Sequence, residues 1–268
     1  MIDCHTHLES PEYNPDRDAV IESCRSAGLK AIVTCCANPK DWELTKEIVA
    51  KHRGFVFASA SVHPQYVKEL PEADINNFMD VIRKNSGSIV AVGETGLDFN
   101  YIKEPDWREK QAELFRKFIA LSNELDRPLV IHARDAYEEV VEILEQEGAK
   151  RVMLHMFGAN QLVKRVIDNG WSVSMNAIVM KSKKHTKVTR DMPLNRLMLE
   201  TDAPWLRPDG KGRNDPRSIR QVAERIAEIK KLKSDEVWDA CAKNAINFFK
   251  LPIRLSTHPF RTLQTGPP

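Results

Sequence analysis

Several of the features that mark specialised protein classes are missing from this chain. Its five cysteines (Cys4, Cys24, Cys35, Cys36 and Cys241) are odd in number and show no CxxC spacing. They indicate neither a disulfide framework nor a thiolate zinc site, and they fit a reducing cytosol. No excess of one charge exists: 40 Lys and Arg against 38 Asp and Glu leave +2. A dedicated nucleic-acid binder with a globally basic surface is therefore excluded, and any anionic substrate has to be met locally. No uninterrupted run of 18 apolar residues occurs, and the first eight residues have neither a basic nor an apolar leader region. The expectation is a cytoplasmic protein that is neither secreted nor membrane-spanning. Walker and GxGxxG loops are also absent, which removes the common nucleotide-phosphate cradles.

What is present is an ordinary globular balance, 42% hydrophobic and 29% charged over 268 residues, enough to bury a large core without staples. Eight short β-rich apolar runs recur at residues 1–6, 30–37, 55–63, 88–97, 128–132, 151–157, 171–177 and 197–201. Helix-period stretches alternate with them at 18–27, 42–52, 75–84, 107–125, 137–146 and 161–169, and two more follow at 218–231 and 234–249. Pro15, Pro39 and Pro105 stand at helix starts, and Gly28, Gly54, Gly148 and Gly170 stand where helices end before the next strand. Such alternation allows an open doubly wound sheet or a closed barrel, and eight strands in about 250 residues favour an α/β fold of the (β/α)8 TIM-barrel type. One domain over 1–251 is expected, followed by an irregular or disordered tail over 252–268 that holds four of the 15 prolines.

Potential metal ligands gather at the C-terminal ends of these runs: His5, His7, His63, Glu94, His132, His155 and Asp202. On a barrel those ends form one rim, where strand ends aim side chains at a common point. His5 and His7 are separated by one residue within a strand, so a period of two puts both imidazoles on one face. Glu94 ends the apolar run Val92-Gly93-Glu94-Thr95-Gly96-Leu97-Asp98, where an unpaired buried carboxylate would be expensive and a cation is expected. With His132 and His155 there are ligands for a second ion, bridged by Glu94. Asp202 reads either as a turn carboxylate or as a ligand and general base; in this company the catalytic role is preferred, with Glu94 beside it. Two ions sharing a water point to hydrolysis.

In order, Ile2-Asp3-Cys4-His5-Thr6-His7-Leu8, His63-Pro64, Gly93-Glu94-Thr95-Gly96-Leu97-Asp98, Ile131-His132-Ala133-Arg134-Asp135-Ala136, His155 and Glu200-Thr201-Asp202-Ala203-Pro204 resemble the TatD family of metal-dependent hydrolases and deoxyribonucleases, in the amidohydrolase-like barrel superfamily. The resemblance implies a barrel hydrolase with one or two divalent ions (zinc, magnesium or manganese), often a 3′ to 5′ exonuclease on DNA. It assigns His5, His7, Glu94, His132, His155 and Asp202 to the metals. It assigns His63 to a substrate phosphate, with Arg134 and Glu200 in supporting positions on the substrate-binding side. Ser61, Met156-Phe157-Gly158-Ala159 and, on strand seven, Val173-Ser174-Met175-Asn176-Ala177 depart from the family pattern, which bears on the loops that shape the pocket.

Two basic stretches, 181–190 and 207–220, follow the last two strand runs and suit a DNA or phosphoester substrate, although charge runs are commonly just solvated helix faces. Trp205, Phe99 and Tyr101 are available to stack on bases or simply to pack loops. An amide or ester hydrolase at the same site, and an idle barrel that binds nucleic acid or a protein, are the alternatives. No obligate protein partner is implied.

Overall fold

In the computed structural model, which describes residues 1–254, eight parallel strands hydrogen-bond to one another in chain order. They are β1 (Ile2–Thr6), β2 (Ala31–Cys36), β3 (Val56–Ala60), β4 (Ile89–Asp98), β5 (Leu129–Arg134), β6 (Val152–Leu154), β7 (Ser172–Met175) and β8 (Leu197–Leu199). The ring closes just beyond the last strand. The Asp202 N–H donates to the His5 carbonyl at 3.0 Å, and the His7 N–H donates to the Ala203 carbonyl at 2.8 Å. This is the (β/α)8 barrel that the alternation of runs implies. The strands are apolar on both faces because each is covered from inside and outside, as parallel sheets require. Ile2, Cys4, Ala31, Val33, Ala91, Val130, Met153 and Met198 fill the interior.

Around the barrel lie α1 (Arg17–Ser26), α2 (Trp42–Lys51), α3 (Glu72–Lys84), α4 (Pro105–Leu125), α5 (Tyr137–Gln146), α6 (Val163–Asp168), α7 (Lys183–Asp191), α8 (Ile219–Lys230) and α9 (Ser234–Phe249). Each buries a stripe against the strands. In α5 the stripe is Val140, Val141, Ile143 and Leu144; in α4 it includes Leu114, Phe115, Phe118 and Ile119. Pro105 opens α4 with a backbone angle already suited to a helix. Ala245 and Phe249 of α9, with Leu251, pack against the interior cluster. Residues 181–190, read from the sequence as a basic stretch that either meets an anionic substrate or is a solvated helix face, fold largely as helix α7. Its buried side is His185, Val188 and Thr189, and Lys183, Lys184 and Lys187 face outward.

Strands β6, β7 and β8 are shorter than the apolar runs that predict them, because the chain leaves the ladder early to build the rim. His155 and Asp202 stand just past β6 and β8 rather than inside them. On β4 the register shifts between Val92 and Thr95, a bulge that re-aims Glu94. Glycine is required on both sides of it. A Cβ on Gly93 would sit 2.5 Å from the Val130 carbonyl, and one on Gly96 only 2.0 Å from the His132 carbonyl. These two glycines let β4 press against β5, which brings Glu94 to His132. No helix among the described residues is long and apolar enough to cross a membrane. Of the expected tail, 255–268 lie outside the described residues.

Candidate metal centre

The strand ends converge. His5 Nε2, at the end of β1, lies 3.2 Å from His7 Nε2, 3.4 Å from Glu94 Oε2 and 3.6 Å from Asp202 Oδ1. His7 Nε2 is 3.5 Å from the same Asp202 oxygen. The other oxygen of Glu94 lies 2.7 Å from His132 Nδ1, 3.6 Å from His155 Nε2 and 3.8 Å from His63 Nε2. Glu94 thus stands between a His5–His7–Asp202 side and a His132–His155–His63 side. Among the described residues, donor atoms that fall within 4.8 Å of one another form three sets: His5, His155 and Asp202; His63, Glu94 and His132; and His5, Cys35 and Glu94. His63 faces two ways. Its Nδ1 accepts the Gln65 N–H at 3.1 Å and caps the turn Pro64–Lys68, while its Nε2 faces the cluster.

Behind these side chains stand carboxylates, two of which sequence reasoning passed over. Glu9 Oε1 lies 3.0 Å from His7 Nδ1, and its Oε2 accepts the Thr34 hydroxyl at 2.7 Å. Asp98 Oδ2 lies 2.9 Å from His132 Nε2, and Oδ1 accepts the Tyr101 N–H at 2.7 Å. Gln111 fixes this corner by accepting the Asp98 N–H at 3.1 Å and donating to the Pro64 carbonyl at 3.0 Å. Glu200 Oε1 lies 2.7 Å from His155 Nδ1, and Glu200 accepts from Asn176 at 2.8 Å. Fully buried, Glu200 supports His155 rather than facing a substrate. Such outer partners fix imidazole tautomer and orientation. The available signal was weak: Glu9 falls two residues after His7 and Asp98 four after Glu94, but neither spacing by itself implies contact.

The electrostatics of the cluster are mutual. Burial alone would raise the Glu94 carboxyl, yet His5, His63, His155 and His132 hold it well below the usual range. Asp202 is likewise lowered against burial, by His7, His155 and His5. Burial opposes protonation of His7, but Asp202 and Glu9 overcome it and raise that imidazole well above its usual value. His132 rises through Asp98 and Glu94, and His155 rises to about 10 through Glu200 and Glu94, both against burial. His63 goes the other way, down to about 3, because burial is reinforced by the neighbouring His132.

Five imidazoles and five carboxylates (Glu9, Glu94, Asp98, Glu200, Asp202) are thereby packed at one end of the barrel. The carboxylates around His7, His132 and His155 favour positive charge there, which is the charge a divalent cation would supply. Two ring nitrogens turned toward each other at 3.2 Å, each with its ring on a different strand position, match the spacing of neighbouring donors on one ion. The mixed imidazole and carboxylate set fits zinc and also manganese or magnesium.

Around the mouth, the side chain of Trp205 is 48% exposed, its ring 4.7 Å from that of His7. Arg134 is exposed at the end of β5 and is not drawn into the cluster. In the segment after β8, Arg207 pairs with Asp209, Arg213 with Asp16 and Arg217 with Asp215, which neutralises most of that basic stretch. Lys183, Lys184 and Lys187 on α7 are exposed.

Comparison with known proteins identifies the family and the fold. A family model described as TatD related DNase matches residues 2–250. The human deoxyribonuclease TATDN3 is 29% identical over 260 residues, covering 93% of this chain and 94% of that protein. An uncharacterized metal-dependent hydrolase of Bacillus subtilis, YabD, is 32% identical over 259 residues, covering 94% and 99%. Among solved structures, the TatD homologue YJJV of Escherichia coli superposes with a TM-score of 0.86 at 24% identity, over 94% of this chain and 98% of that one, a likeness of fold. A barrel with this closure, these rim residues and a family match over nearly its whole described length belongs to the TatD-related DNase family.

Proposed function

We propose that the chain is a metal-dependent phosphodiesterase that removes nucleotides from the 3′ end of single-stranded DNA. The observation that carries this reading is the meeting of His5, His7, Glu94, His132, His155 and Asp202, drawn from five strands, within a few ångström. Names of relatives agree: besides the human deoxyribonuclease, a protein of Erwinia amylovora named 3'-5' ssDNA/RNA exonuclease TatD is 29% identical over 261 residues.

His5, His7 and Asp202 would hold one divalent ion, His132 and His155 a second, with Glu94 between them. When bound, such ions lower the pKa of a water toward neutrality and stabilise charge on a phosphoryl oxygen. The chain supplies the rest. Asp202, whose side chain keeps 14% exposure while its neighbours are nearly closed off, is the carboxylate open to an attacking water and takes its proton. Neutral His63 donates a hydrogen bond from Nε2 to a phosphate oxygen, since its Nδ1 is already an acceptor. Trp205 offers a face to the base next to the scissile bond, and the α7 lysines meet phosphates further along the strand. Free, buried cysteines suit a reducing compartment such as the cytoplasm.

The test is release of mononucleotides from end-labelled single-stranded DNA by chelator-stripped protein, restored with magnesium, manganese or zinc, beside Asp202→Ala. Metal-dependent shortening from the 3′ end, reduced at least a thousandfold in the variant, is expected of a lost general base and ligand together (on the order of 10²–10⁴ for the base alone). Intact DNA with every metal, alongside turnover of an amide or carboxylic ester, would overturn the assignment.

A further inference from the structure

The cysteine pattern in the sequence gives no reason to place sulfur at the centre, yet one thiol is there. Alternate residues of β2 point into the barrel: Ala31 and Val33 belong to the interior cluster, whereas Ile32 and Cys36 pack outward under the helices. The next inward position after Val33 is Cys35. This side chain is fully buried, and its Sγ accepts the backbone N–H of Glu94 at 3.0 Å. The donor atoms of His5, Cys35 and Glu94 all lie within 4.8 Å of one another.

We propose that Cys35 is a metal ligand, supplying sulfur from beneath the centre to the ion held by His5 and Glu94, and that it biases the site toward zinc or cobalt over magnesium. The inference rests on the metal-centre reading of the preceding subsection. Bonds of about 2.0–2.3 Å hold tetrahedral donors about 3.3–3.8 Å apart, so the set needs to tighten by about 1.5 Å at most. A thiolate is a soft donor that magnesium does not select. Coordination releases the thiol proton to solvent, and the Glu94 N–H already directed at Sγ steadies the charge left on sulfur. The location also explains the choice of atom: a serine or threonine at this inward position would offer a hard oxygen, and a valine none.

Stripped protein titrated with cobalt(II) provides a readout independent of catalysis. Wild type and a Cys4→Ser control are expected to show near-ultraviolet sulfur-to-cobalt charge-transfer absorption that saturates with the bound metal. Cys35→Ser and Cys35→Val are expected to lose it, with zinc affinity falling at least tenfold and magnesium affinity within twofold of wild type. The valine variant keeps the apolar bulk at this position, so the test survives if the serine variant fails to fold; circular dichroism of both is compared with wild type. Cobalt bound to wild type without the band, or a band that persists in the Cys35 variants, would overturn the role of Cys35 and leave the hydrolase reading standing. A wild-type protein that binds no cobalt and is activated by no metal would overturn the metal centre itself.

Discussion

Replacing Asp98 with asparagine perturbs the centre without touching any proposed ligand. Asp98 Oδ1 accepts the Tyr101 N–H at 2.7 Å, and Oδ2 faces His132 Nε2 at 2.9 Å. Asparagine keeps the size, and the Tyr101 N–H holds its amide oxygen at the Oδ1 position. The NH₂ group then points at Nε2, which has to change from donor to acceptor. The imidazole proton moves to Nδ1, the nitrogen 2.7 Å from Glu94, and occupies the lone pair that faces the cluster. Losing an outer partner of a ligating histidine weakens metal binding about 10–100-fold, or about 1.4–2.7 kcal/mol. Tautomer reversal places this variant at the upper end of that range. Titration of stripped protein against a competing chromophoric chelator measures the loss, and the thermal midpoint of the metal-free protein reports whether the fold is intact. An affinity within threefold of wild type, with the fold unchanged, would refute the tautomer argument.

Gly96→Ala puts a methyl 2.0 Å from the His132 carbonyl on a backbone with φ of +143°. The expected loss is about 3 kcal/mol or more in urea unfolding, from overpacking and backbone strain together, and a loss under about 1 kcal/mol would contradict the close approach of β4 and β5. Changing Lys183, Lys184 and Lys187 to glutamine is expected to flatten the dependence of single-stranded DNA affinity on salt. Each phosphate contact contributes a slope of about 0.7 in log affinity against log salt, so three contacts account for about 2. Binding measured across a potassium chloride series decides it, and an unchanged slope would place the strand away from α7.

Much of this molecule is readable from its residues, and the parts that are not share a cause. The barrel follows from eight apolar runs separated by helical stretches, a pattern local to each segment. The set His5, His7, His63, Glu94, His132, His155 and Asp202 is visible because each member lies in or just past an apolar strand run, and the C-terminal ends of strands in this fold have one meeting place. Glu9, Asp98 and Cys35 escape notice because their importance lies in distances across the barrel, such as the 3.0 Å from the Glu94 N–H to Cys35 Sγ between positions 59 residues apart. No local pattern encodes that separation. Helix α7 is legible only as one of two readings of the basic stretch 181–190, because lysines on a solvated helix face look the same in sequence as lysines placed to meet phosphate. Glu200 was placed near the site by motif, but only its complete burial shows that it backs His155.

The seam where the ring closes sets an order of events in the making of this protein. Thr6 and Ala203, joined there by a 2.9 Å hydrogen bond, are separated by 197 residues of chain. Bringing such distant points together costs about 5 kcal/mol of chain entropy, growing with the logarithm of the span. During synthesis at about 5–20 residues per second, the His5–His7 pair leaves the ribosome roughly 10–40 s before Asp202. For that interval two imidazoles wait with no acidic counterpart from the last strand. A chain stopped before residue 202 therefore cannot assemble the full donor set, however well its early strands have paired. Tight retention of an ion would then be a property of chains that have passed residue 202, and would distinguish them from every product of the same message that stops short of it.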